Sequence, residues 1–74
     1  MRPNAKVERN EQLLKCYRAG VQIIALAKHF GLSVTRTFEI IDGNASEEDQ
    51  KNHRLNNRKL KEEFYASKIV SLVE

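Results

Sequence analysis

The sequence predicts an all-α fold. Apolar residues recur at helical spacing, and no stretch alternates between turn signals as a strand would. The three glycines, Gly20, Gly31 and Gly43, each follow a helix-like segment. Glycine enters the left-handed conformation that ends a helix without a Cβ clash, so each is read as a stop.

The elements follow in order. Residues 1–7, polar and basic with Pro3, read as a flexible arm. A first helix spans about 8–19, with Leu13, Leu14, Tyr17 and Cys16 on its inner side. A second spans about 22–30, where Ile23, Leu26, Ala27 and Phe30 follow i, i+3, i+4, i+7. Ser33 is placed to cap a third helix, about 33–42, with Thr37, Ile40 and Ile41 inward. Ser46 followed by Glu47, Glu48 and Asp49 is a helix-start signature. It opens a C-terminal helix or helix pair over about 46–73, with Asn56-Asn57 the weakest point by propensity.

Two helices joined by a tight turn, with a third before them, describe a three-helix helix-turn-helix head over 8–43. Ala27 is small where the two helices cross, and Gly31 permits the turn. The string Gln22 to Ile41, with Leu26-Ala27 and Phe30-Gly31-Leu32-Ser33, resembles the helix-turn-helix of resolvases, invertases, transposases and small bacterial or phage regulators. Leu13, Leu14, Tyr17 and Gly20 match the upstream helix of the homeodomain-like version, so the likeness covers about residues 10 to 42. The chain departs from that pattern at Gln22, where a better cap is usual, and at Thr37, where Val or Ile plugs the core. It departs again at Glu39 and Asp42, where bases are common, which weakens the electrostatic help for DNA binding.

The resemblance implies a third helix that enters the DNA major groove by its N-terminal end. Carried over by position, Val34, Thr35 and Arg36 would face bases, with Arg36 the candidate for a bidentate contact to guanine. Ser33, Lys28 and His29 would meet phosphates, and Arg2, Lys6 and Arg9 resemble a minor-groove arm. Phe38 reads as core, with base stacking as the lesser alternative.

Charge is mildly basic: 13 Lys plus Arg against 10 Asp plus Glu give +3. That surplus lies in residues 1–19, with five bases and two acids. Later in the chain, Lys51, Arg54, Arg58 and Lys61 follow 3-4-3 spacing and would line one helical stripe. The stripe reads either as a phosphate track or as a solvated face balanced by neighbouring acids.

The C-terminal stretch carries apolar residues around its whole circumference, which requires burial on every side. Ile24, Phe64, Tyr65, Ile69, Val70, Leu72 and Val73 are therefore read as a homodimer or interaction surface. The alternative is that this helix folds back over Ile24 and Leu14 within one chain.

Several functions are unsupported by these residues. At 74 residues the chain forms a single domain, with little volume for a closed pocket. No Gly-rich phosphate loop and no nucleophile with a matched base are present, so no enzyme activity, cofactor or metal is expected. The longest apolar run is Ile23 to Ala27, far short of a membrane span. No secretory signal is recognised, and the single Cys16 fits a reducing, cytoplasmic setting. The expected function is that of a sequence-specific double-stranded DNA-binding protein, a small transcriptional regulator. The alternatives are a protein-interaction module, for example on RNA polymerase, and a recombination accessory protein.

Overall fold

A computed structural model describes residues 5–73, with side chains from residue 8 onward. The described residues form α1 (Ala5–Arg18), α2 (Ile23–Phe30), α3 (Val34–Asn44), α4 (Glu47–Lys59), a 3-10 turn (Glu62–Phe64) and α5 (Tyr65–Val73), with no strand among them. Helix α1 is the central rod, and α2, α3, α4 and α5 all pack on it. It supplies Leu13 and Cys16 to a core completed by Val21, Leu26, Ile40, Ile41, Tyr65 and Ile69.

The helix α2 ends on Gly31, whose φ of 68° is left-handed. The N–H of Gly31 donates to the carbonyl of Lys28, and that of Leu32 to the carbonyl of Ala27 at 2.9 Å, a Schellman arrangement that satisfies terminal carbonyls. Gln22 stands at the N-cap of α2 without a side-chain cap bond. Ser33 caps α3 by accepting from the Arg36 N–H at 3.0 Å. Thr37 is fully buried, and its hydroxyl donates to the Ser33 carbonyl at 2.9 Å. A buried hydroxyl with a partner avoids the desolvation penalty that an orphan one would carry.

Gly43 does not end α3. The helix continues through Asn44 and closes at Ala45, whose N–H donates to the Ile41 carbonyl at 2.7 Å. Gly43 is absent from the residues with positive φ, so its backbone is that of an ordinary helical residue. Gly20 is different: its φ is 103°, and an added Cβ would lie 2.6 Å from the Asn56 carbonyl carbon. There glycine permits both the turn and the close approach of two backbones.

Helix α4 opens with a full capping box, in which Ser46 and Asp49 each accept from the other's backbone N–H. Such a cap contributes about 1 kcal/mol. The C-terminal stretch is two helices, and the break falls at Leu60–Lys61 instead of Asn56-Asn57. Asn56 donates to the Arg18 carbonyl at 2.7 Å and Asn57 to the Gly20 carbonyl at 2.9 Å. Those bonds satisfy backbone groups at the end of α1, and tertiary partners outweigh a weak helix propensity. A continuous helix would carry Tyr65, Ile69, Leu72 and Val73 away from the core into water. The turn instead folds α5 onto α1 and α2, with Tyr65 and Ile69 buried and Leu72 and Val73 packed against the core. This corrects the reading of Tyr65 and Ile69 as a dimer surface: their apolar area is covered within one chain.

Candidate nucleic-acid interface

The candidate surface is built on α3, and its inner side decides what faces out. Thr37, Ile40 and Ile41 are buried against the rest of the chain. At about 100° per residue, Thr35, Phe38, Glu39 and Asp42 then fall on the opposite half of the helix. Val34, Thr35 and Arg36 are all exposed at its N-terminal end, immediately after the Ser33 cap. The Arg36 guanidinium lies 3.6 Å from the Glu39 carboxylate, with both side chains more than half exposed. An exposed pair of this kind contributes little to stability and leaves Arg36 free to exchange partners.

Phe38 contradicts its core assignment. It is 55% exposed, and Val34, one turn before it, is 49% exposed. The signal was present in the spacing: once Thr37, Ile40 and Ile41 define the inner side, the residue after Thr37 turns outward.

Lys28 and His29 are exposed in the last turn of α2, a position where cations oppose the negative end of the helix. Ser33 is exposed but has its hydroxyl engaged with the Arg36 N–H. Ile24 is exposed on the same helix, beside an open groove lined by Ala25, Lys28, His29, Glu62, Tyr65, Ala66 and Ile69.

The proposed arm divides three ways. Arg2 lies outside the described residues, Lys6 belongs to α1, and Arg9 is a half-buried residue of α1. Arg9 is therefore part of the helical body and is not on a reaching arm. The cation stripe is shorter than its spacing suggested. Lys51, Arg54 and Arg58 are exposed on α4, but Lys61 lies beyond the end of that helix. Helix α4 packs on α1 and makes no packing contact with α3, so these cations are not gathered onto the α3 surface.

Two further contacts fix α4. The His53 ring stacks on Tyr17 at 4.0 Å between centroids, and its Nδ1 lies 2.8 Å from the Tyr17 carbonyl. A carbonyl only accepts, so Nδ1 carries the proton. Arg18 Nε sits 3.2 Å from Asp49, which ties the end of α1 to the first turn of α4. The roles of His53, Asn56 and Asn57 were not legible in the sequence because they bond backbone carbonyls more than thirty residues away, at the end of α1 and in the turn after it.

Cys16 is buried, and burial pushes its thiol up despite nearby Lys15. A raised pKa lowers the thiolate fraction that reactivity requires. Among the described residues, no group of three or more His, Cys, Asp or Glu side chains is placed to hold a metal ion. No described helix is long and apolar enough to cross a membrane. No family model matches the chain, and no curated protein or solved structure is significantly similar to it.

Proposed function

We propose that the chain is a sequence-specific double-stranded DNA-binding protein whose α3 enters the major groove, in the manner of a helix-turn-helix regulator. The observation that carries this is the presentation of Val34, Thr35 and Arg36. They stand in solvent at the N-terminal end of a helix whose opposite side is locked by Thr37, Ile40 and Ile41. That is the geometry needed to bring a few side chains to base edges. Arg36 is assigned to guanine, while Lys28 and His29 are assigned to the flanking phosphates. A regulator that occupies an operator-type site and an accessory protein in recombination both fit this reading.

A salt series on a random duplex pool tests it. The affinity is expected to fall linearly on a log–log plot, by about 0.9 per neutralised phosphate. No binding to any duplex at low salt contradicts the reading.

One observation favours a protein-interaction module instead. Helix α3 carries Glu39 and Asp42 against a single base, Arg36, which is already paired with Glu39. Retention of a protein partner by a chain with no duplex affinity would favour that alternative.

Pairing of two copies is a separate proposal, reduced to the residues that remain exposed: Ile24 at 61%, Phe64 at 51% and Val70 at 42%. Two-fold pairing would present two α3 helices to a palindromic site. A concentration-independent monomer mass in sedimentation contradicts it.

A further inference from the structure

We propose that Phe38, with Val34, reads thymine methyl groups on the floor of the major groove; this rests on the reading of α3 as the helix that enters DNA. Phe38 is 55% exposed and Val34 49% exposed, and the pair forms an i, i+4 apolar strip starting at the capped end of α3. Four residues of helix rise about 6 Å, which covers nearly two base-pair steps of about 3.4 Å each. Among the hydrogen-bond donors and acceptors at base edges in that groove, the thymine C5 methyl is the apolar group. An apolar strip on a helix placed there has that methyl as its complement.

The exposure and charge of α3 agree. Both side chains of the strip stand about half in solvent, open to contact from outside the chain. Arg36, Glu39 and Asp42 together give α3 a formal charge of −1, so attraction to phosphate is not what this helix supplies. Its contribution lies in contacts at base edges, and Phe38 and Val34 provide the apolar ones.

The test uses the full 74-residue chain. A preferred site is first selected from random duplex DNA. Each thymine in it is then replaced singly by 2′-deoxyuridine, which lacks only the methyl, and binding is followed by fluorescence anisotropy. One or two positions, no more than two steps apart, are expected to lose about fourfold in affinity, the factor for burying one methyl-sized group. In Phe38→Ala one of these positions is expected to bind thymine and deoxyuridine equally while any position read by Val34 keeps its preference, with circular dichroism confirming an unchanged helix content. Phe38→Leu, which keeps an apolar tip, is expected to retain part of the preference.

Specific binding with no methyl-sensitive position overturns this assignment alone, as does sensitivity that survives Phe38→Ala unchanged at every position. A Phe38→Ala variant that keeps its DNA affinity and methyl preference but releases a protein partner overturns it in favour of a protein occupant. Absence of specific duplex binding under all salt conditions brings down the DNA reading and this assignment with it.

Discussion

The amide of Asn57 donates to the carbonyl of Gly20 across 2.9 Å, at a place where the two backbones meet so closely that no Cβ fits on the glycine. This contact joins the end of α1 to α4. It also separates Gly20 from the two other glycines, which share its spacing in the sequence but not its environment.

Three substitutions should therefore have three different outcomes. Gly20→Ala combines a positive φ with a backbone clash and is predicted to destabilise by about 3 kcal/mol or more. Gly31→Ala meets nothing within 4 Å and carries only the left-handed strain, about 1–2 kcal/mol. Gly43→Ala lies in a helix with open space and is predicted to stabilise by about 0.5–1 kcal/mol. Urea unfolding of the three variants checks the order; equal effects would contradict it.

Asn57 also donates to the Tyr65 hydroxyl at 3.0 Å, so one side chain links α1, α4 and α5. Asn57→Ala is predicted to lose about 1–2 kcal/mol. In a double-mutant cycle with Tyr65→Phe, a coupling of about 0.5–1 kcal/mol is expected. Strict additivity would mean that the bond contributes nothing.

Thr37→Val is predicted to be neutral or to stabilise by up to about 1 kcal/mol. The swap removes a buried hydroxyl, while the Ser33 carbonyl keeps its bond from the Thr37 N–H at 3.0 Å. A loss above that magnitude in thermal unfolding would show that the hydroxyl bond anchors α3.

Burial raises the pKa of both Cys16 and Tyr17, the latter opposed by Arg54 and reinforced by Asp49. Each group is neutral when protonated, so the folded state holds its proton more tightly than the unfolded one. The stability from this source is fully present below the unfolded values of 9.0 and 10.0 and is lost as pH rises through the higher folded values. Urea midpoints measured upward from neutral pH should stay level and then fall, with a smaller fall in Cys16→Ala. A rise in stability through that range would contradict the assignment.

The helices of the first half were legible because their signals are local. The Leu26, Ala27 and Phe30 spacing, the Gly31 turn and the Ser33 cap need no distant partner. In the second half the Ser46 start of α4 was legible for the same reason, but the break and the course of α5 were not, because they depend on where α1 ends. Asn56 and Asn57 look like helix breakers until the carbonyls of Arg18 and Gly20 are placed opposite them. For Tyr65 and Ile69 the sequence left open a surface for another chain or a fold back on the same one, and the turn at Leu60 gives these two residues the second. Of the candidate interface, the exposed Val34 to Arg36 segment was legible from position, whereas Phe38 has the aromatic character of a core residue but an angle on the helix that turns it outward.

The proposed reading of DNA by the N-terminal side chains of α3 is tested most directly by Arg36→Ala. Its ion pair with Glu39 is exposed, so the variant should keep its fold within about 0.5 kcal/mol. Measured by anisotropy on the selected duplex and on single base-pair variants, Arg36→Ala is predicted to weaken binding by about tenfold or more and to lose discrimination at one guanine position. Unchanged affinity and unchanged base preference in a folded Arg36→Ala protein would contradict it.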